Sequence, residues 1–499
     1  MNTPISQALS EARAFELLAD EKLENESRPA IHLSPRVGWL NDPNGFSYYH
    51  GQYHLFYQYH PYSTRWGNIH WGHAVSDDLI RWRYLPATLA PDESYDIDGC
   101  FSGSAMELED GRHLLMYTGI KKDPQEQDGR VFQTQCIAIG DGVDYQKYSG
   151  NPVIDHDDRP AGGDPFNFRD PKIWRQEDGS YRAVIASKDL RTGPQILLFG
   201  SEDALRWTFL SVLADNKKHI GEMWECPDFF PLDEKYVLLV NGMDMVQQGI
   251  EFHKGNNGFY MVGDYDHENM HFQEELIQTI DYGPDFYAGQ TMHAPDGRRI
   301  LIGWMQNPDT SSYQVSAKPF YGQMSIPREL RVRNGTLYQY PVRELERYRK
   351  DSISRQGLLI QSQEVRIDGI SGRIADLEVK IRTKNDQETF REFRIEFAKN
   401  DRFSSSFTYY PDEHKVRISR KHSGQIPSDL SEREAPIQVV NGELTIRVIL
   451  DKYSVEIFLN GGERVLSQII ETDLSADEIT FYASGNVLMD ITMYHLDIQ

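Results

Sequence analysis

The chain has 499 residues, enough for two or three domains, or one large domain and a smaller one, each with a real core. Its 76 acidic and 52 basic residues give a formal charge of −24, which argues against nucleic acid or an anionic membrane as the main partner. Cys100, Cys136 and Cys226 are odd in number and far apart, which argues against a disulfide framework or structural zinc site, and no apolar run is long enough to span a bilayer.

The start, Met-Asn-Thr-Pro-Ile-Ser-Gln, lacks the basic and apolar regions of a secretory signal, so a cytoplasmic protein is expected. Residues 6–20 are rich in helix formers, and Leu9, Ala12, Phe15 and Leu18 near helical spacing predict one substantial helix. From about Ile31 the pattern changes to short apolar or alternating runs between Gly, Asp and Pro. Tyr53 to Tyr59, His113 to Thr118, Ala183 to Ala186, Gln195 to Phe199, Tyr236 to Val240 and Ile300 to Trp304 all have strand length.

Within this region Trp39-Leu40-Asn41-Asp42-Pro43-Asn44-Gly45 sets one carboxylate among two amides, a proline and a glycine. Turn residues this dense predict a sharp bend, on which Asp42 would have the fixed direction that a nucleophile needs. Ser76-Asp77-Asp78-Leu79-Ile80-Arg81-Trp82 is echoed 125 residues later by Ser201-Glu202-Asp203-Ala204-Leu205-Arg206-Trp207, with acidic turns at Asp141 and Asp264 roughly in step. A unit of that size fits five times between residues 31 and 340, and repeated groups of short strands without helices suggest propeller blades.

Two more segments resemble the first. In Phe168-Arg169-Asp170-Pro171-Lys172 the proline biases Asp170 toward extended geometry. In Met223-Trp224-Glu225-Cys226-Pro227-Asp228 an apolar setting, if buried, would raise the Glu225 pKa as a general acid requires. Trp39, Trp66, Trp71, Trp224 and Trp304 lie near these acids or near turns, and aromatic faces beside amides suit an uncharged, hydroxyl-rich ligand. His70 and His73 are three apart on a strand, hence on opposite faces and unsuited to sharing a metal, and no Gly-rich phosphate loop is present. Gly99-Cys100-Phe101-Ser102-Gly103-Ser104 only loosely resembles a serine elbow; its small residues would let a backbone approach the ligand.

Beyond a predicted short helix at Tyr340 to Arg349, the runs Ala375 to Ile381, Phe393 to Phe397, Leu444 to Val448 and Lys452 to Phe458 alternate between turns, as in a β-sandwich.

The three acid-bearing segments, with Tyr57-Gln58-Tyr59, Trp66-Gly67, Phe101-Ser102-Gly103-Ser104 and Asp451 to Phe458, occur in order from about His32 to the end. Together they resemble the signature blocks of glycoside hydrolase family 32, which contains invertases, sucrose-6-phosphate hydrolases, inulinases and levanases. The resemblance implies a five-bladed β-propeller (31–338) and a β-sandwich (351–499), so that with the helical extension (1–30) and linker helix (339–350) read from the residues an all-β chain is expected. It further implies Asp42 as nucleophile, Glu225 as acid/base and Asp170 as a stabiliser of the fructose hydroxyls. Asn41, Gln58, Trp66, Phe101, Ser102, Ser104, Arg169 and Trp304 would bind the terminal fructose.

No metal or organic cofactor is required by such chemistry, and the expected partner is a small carbohydrate. Sucrose, sucrose 6-phosphate and short fructo-oligosaccharides stay open as substrates, with Arg65 or His60 available to a phosphate. A fructoside-binding protein without turnover and a related arabinan or xylan enzyme are the alternatives. Oligomeric state is open, a homo-oligomer included.

Overall fold

The computed structural model describes residues 5–23, 27–123, 129–216, 220–311, 319–383, 390–424 and 430–498; Met1 to Pro4, part of the start read above, lie outside them. One substantial helix, α1 (Gln7–Asp20), begins where the Ser6 hydroxyl caps the Leu9 amide. It packs through Leu9 and Ala12, and buried Glu16 accepts from the Ala87 amide at 2.9 Å. Phe15 and Leu18, expected on the buried stripe, are 39% and 63% exposed: the helix touches the protein along a narrow seam, and Phe15 leans edge-on against Tyr62 instead. No described helix is long and apolar enough to cross a membrane.

Five antiparallel sheets follow, each begun by one strand: β1 (Gly38–Tyr49), β2 (Gly99–Glu107), β3 (Gly163–Arg175), β4 (Met223–Leu232) and β5 (Tyr287–His293). These leading strands touch in cyclic order, β1 on β2, β2 on β3, β3 on β4, β4 on β5 and β5 back on β1. Phe320–Tyr321 pairs in parallel with Gly38 and Trp39, so a late piece of chain joins the first sheet. Hydrophobic clusters occupy the spaces between neighbouring sheets; Phe168 of β3, for example, packs with Leu114 and Met116 of the second sheet.

The sequence repeat has a local cause. Asp78 and Asp203 each accept two amides of the hairpin they begin, those of Ile80 and Arg81 and of Leu205 and Arg206. Each loop then needs a left-handed residue, Leu79 (φ +67°) and Ala204 (φ +60°). Asp141 and Asp266 cap the corresponding hairpins of the second and fourth sheets. The fourth member is therefore Asp266; Asp264, two residues earlier, pairs with Lys235 within its sheet.

The predicted linker is shorter than expected. A strand runs to Pro341, a 3-10 helix covers Arg343–Tyr348, and the next strand starts at Arg349. Beyond it two six-stranded antiparallel sheets enclose one apolar cluster. In Ala375–Thr383, for instance, Leu377, Val379 and Ile381 are buried on one face while Glu378 and Lys380 on the other are more accessible.

The Asp451 to Phe458 block joins the two regions. Asp451 ends one strand and accepts the Ala30, Ile31 and His32 amides, as well as His32 Nδ1 at 2.8 Å. His32 Nε2 meets Glu456 at 3.0 Å, and Glu456 also binds the Arg328 guanidinium, which reaches Asp281 at 2.9 Å. Every one of these side chains is buried, so each charge depends on its partner. The neighbouring carboxylates raise the His32 pKa to about 9 against the pull of burial, and the His32 hydrogen bond helps hold Asp451 well below its usual range.

Candidate active site

All five leading strands carry an irregularity at the same level. In β1, Leu40 pairs with Tyr59 but Pro43 with Tyr57, so three residue steps oppose two. The same extra residue occurs in β2 between Phe101 and Gly103, in β3 between Arg169 and Lys172, in β4 between Glu225 and Asp228 and in β5 between Tyr287 and Gln290. A β-bulge re-aims the side chains beside it, and five bulges in a ring aim theirs at one place.

The expected sharp bend at Asp42 is therefore a bulge inside a continuous strand. Asp170 also departs from expectation: the proline that follows favours extended backbone, yet Asp170 has φ +62°, the left-handed turn of its bulge. Cys226 and Ala288 take the same conformation at φ +47° and +54°. Pro43, Pro171 and Pro227 can follow these bulges because β3 and β4 are edge strands and β1 is paired on its inner side only at Gly38 and Trp39, so a missing amide breaks no ladder.

Asp42 is gripped by neutral donors. Ser102 Oγ reaches its Oδ2 at 2.6 Å and Gln58 Nε2 at 3.1 Å, Cys226 Sγ lies at 3.5 Å, and Asn41 Nδ2 meets Oδ1 at 3.1 Å. Asn41 is itself oriented by Trp39 Nε1 at 2.8 Å. Burial pushes the Asp42 pKa up to about 6 against the Ser102 hydrogen bond, and the Glu225 charge adds to the rise.

Asp170, 6% exposed, receives the Cys226 amide at 3.0 Å and lies 3.7 Å from Cys226 Sγ and 3.8 Å from Arg169. Burial raises its pKa too; Arg169 opposes the rise, while Glu225 and Asp42 reinforce it. Cys226 thus bridges two acids and is the chain neighbour of the third.

Glu225 does not have the apolar setting expected. Trp224 turns into the core, donating to the Ile220 carbonyl, while the Glu225 carboxyl faces polar groups. Arg169 donates twice to its Oε1, at 2.9 and 3.1 Å, and the Tyr287 hydroxyl donates to Oε2 at 2.7 Å. The Arg169 guanidinium also reaches Asn167 and Gln133, which fixes its plane.

The remaining expected residues divide. Asn41, Gln58, Ser102 and Arg169 touch the acids directly, whereas Trp66 is 55% exposed and lies edge-on to Phe101. Trp304 is buried against Trp39. Ser104 does not join them: fully buried, its hydroxyl donates to the Pro171 carbonyl and accepts the Ile173 amide, so it braces the β3 bulge from behind. Gly103 serves strand packing, not ligand approach, since a Cβ there would lie 1.9 Å from the Met116 carbonyl. His60 is engaged by the Arg65 carbonyl at 2.8 Å.

Sequence reading missed Tyr287, Cys226 as a bridge, and Thr118, whose hydroxyl accepts the Asp170 amide. Phe-Tyr-Ala-Gly at residues 286–289 could have betrayed Tyr287, because a glycine inside a strand often marks a bulge.

The chain is similar to known proteins along almost its whole length. A raffinose invertase of Escherichia coli is 33% identical over 99% of this chain and 100% of its own. A sucrose-6-phosphate hydrolase of the same organism is 34% identical over 94% of each chain. Among solved structures, a mutant of a Bombyx mori family 32 beta-fructofuranosidase in complex with sucrose superposes with a TM-score of 0.83 at 31% identity, covering 99% of both chains. Residues 32–341 match the glycosyl hydrolases family 32 N-terminal domain and residues 344–495 the family 32 C-terminal domain, and the chain belongs to glycoside hydrolase family 32.

Proposed function

We propose that this glycoside hydrolase cleaves terminal, non-reducing β-D-fructofuranosides, sucrose and short fructo-oligosaccharides among them, with retention of configuration. The observation that carries the reading is the convergence of Asp42, Asp170 and Glu225 from three strands, linked by Cys226 and Arg169. The five sheets would form the blades of a five-bladed propeller with the acids in its central funnel. The two later sheets would form a β-sandwich domain, with residues 342–348 as the connection.

Breaking the bond develops positive charge at the anomeric C2 of the fructosyl ring. Asp42 attacks that carbon; with a pKa of about 6 it is mostly ionised at pH 7. Glu225 protonates the departing oxygen and later takes a proton from the water that releases fructose, with Arg169 and Tyr287 fixing its direction. Asp170, more deeply buried, holds fructose hydroxyls. In a retaining pair the two reacting carboxyls stand about 5–5.5 Å apart, leaving no room for a water between nucleophile and sugar.

Incubating the protein with sucrose and assaying free fructose tests this directly. Release by the wild type and its loss in Asp42→Asn are expected; binding of sucrose without release would make the protein a fructoside-binding relative. Rates on sucrose, sucrose 6-phosphate, 1-kestose and inulin then set the preferred leaving group.

A further inference from the structure

Backbone ladders run within each of the five sheets and, among the described residues, none joins one leading strand to the next. Asp42, Asp170 and Glu225 therefore stand on three separately hydrogen-bonded sheets. Apolar packing between sheets is non-directional and does not by itself hold carboxyls to a fraction of an ångström. Directional contacts just past the bulges do. The Gly103 amide of β2 donates to Asn44 of β1 at 3.2 Å, and Ser104 of β2 donates to the Pro171 carbonyl of β3 at 2.8 Å. Lys172 of β3 pairs with Asp228 of β4 at 3.0 Å, and Asp228 accepts the Thr291 amide of β5 at 2.6 Å. Gln290 of β5 closes the circuit: it accepts the Phe46 amide of β1 and donates to the Gly103 carbonyl of β2, both at 2.9 Å.

The side chains of Asn44, Ser104, Lys172, Asp228 and Gln290 are all buried, and each lies at the end of its strand's bulge or one residue beyond it. Asn44 and Lys172 follow Asp42 and Asp170 by two residues, and Asp228 follows Glu225 by three. Lys172 has the widest reach, because its ammonium also donates to the Thr291 carbonyl. It thereby ties together the strands of Asp170, of Glu225 and of Tyr287, whose hydroxyl orients Glu225. Both charges of the Lys172–Asp228 pair are buried, so each depends on the other.

We propose that these five residues form a closed polar belt that sets the spacing of the three acids, with Lys172 and Asp228 as positioning residues for Glu225. The proposal rests on the fructosidase reading above. A displacement of about 1 Å between reacting groups can cost about a hundred-fold in rate, and the belt holds Glu225 in place relative to the bond that Asp42 attacks.

Kinetics of the full chain on sucrose and on an aryl fructoside, whose leaving group needs little protonation, test this through kcat/KM, which covers the step that breaks the bond. Lys172→Met combined with Asp228→Asn removes both charges at nearly constant volume and leaves an acceptor for the Thr291 amide. This double variant is expected to keep the wild-type circular dichroism spectrum, to lose about ten- to a hundred-fold in kcat/KM on sucrose and to lose less than about three-fold on the aryl fructoside. Asp228→Asn alone, nearly isosteric, should show the same bias toward sucrose and serves if the double variant does not fold. A merely structural link would lower both substrates equally, by the fraction unfolded. Equal losses on the two substrates, or wild-type kcat/KM on sucrose, overturn the positioning role. A wild type inactive on both would instead overturn the hydrolase reading, and the positioning role with it.

Discussion

Two groups of acids, one fully buried and the other partly so, have opposite electrostatic settings in this molecule. Where the C-terminal sheets dock, Asp451, Glu456 and Asp281 are matched by His32 and Arg328, and the Asp451 and Glu456 carboxyls are held below their usual range. At the ring of bulges, Asp42, Asp170 and Glu225 share, among the described residues, a single contacting guanidinium, and burial pushes the first two upward. Burial is common to both; what differs is how many cations accompany it. A better-matched cluster holds structure together, whereas an under-matched one would keep carboxylates reactive at a cost in stability.

The contrast makes its largest claim about activity. Asp42→Asn should lower kcat on sucrose by about 10⁴-fold or more, and Glu225→Gln by about 10²–10⁴-fold, with a smaller loss on an aryl fructoside whose leaving group needs little protonation. Thermal unfolding of Asp42→Asn should at the same time show an unchanged or higher Tm. A carboxylate whose folded pKa is raised costs stability at neutral pH, and the amide removes that cost.

At the docking cluster the signs reverse. Glu456→Gln removes one of the two carboxylates that Arg328 and His32 each contact, leaving Asp281 to the first and Asp451 to the second, and should destabilise the fold by about 3 kcal/mol in urea titrations, while the folded fraction keeps its turnover number. A milder change inside the site is Tyr287→Phe, which removes one hydrogen bond to the Glu225 carboxylate. About ten- to a hundred-fold off kcat is expected, the range for one bond to a charged group.

The pH dependences should separate as well. His32, raised to about 9, stabilises the fold fully below its unfolded pKa near 6.5, and that contribution is lost as pH rises through 9. Asp451, depressed, contributes fully above about pH 4 and loses its contribution on further acidification. Activity has a different limit, since kcat/KM should fall about ten-fold per unit below pH 6 as Asp42 takes up a proton. At pH 5 the enzyme should be slow and still folded, which circular dichroism beside an activity assay would check.

The acids were legible because each sits in a short local pattern, Asn-Asp-Pro, Arg-Asp-Pro and Glu-Cys-Pro. The device that aims them was not, because a bulge is defined by the register of a partner strand tens of residues away, and turn-forming residues inside a strand read as a bend. The hairpin repeat was visible since Asp78 and Asp203 cap loops of identical local chemistry. Ser104 and Tyr287 show the limit: one looked like a ligand contact and is a buried brace, and the other carried no polar neighbours in sequence yet meets Glu225 across the ring. Periodicity likewise gave α1 its length but not its docking seam.

The assignment of Asp42 as the residue that bonds to fructose is tested most directly by acid-quenching the enzyme during turnover of a fructoside with a good leaving group and mapping its peptides by mass spectrometry. A fructosyl adduct on the peptide containing Asp42, missing from Asp42→Asn, is the expected result. An adduct on Asp170 or Glu225, or turnover with inversion and no adduct at all, would contradict it.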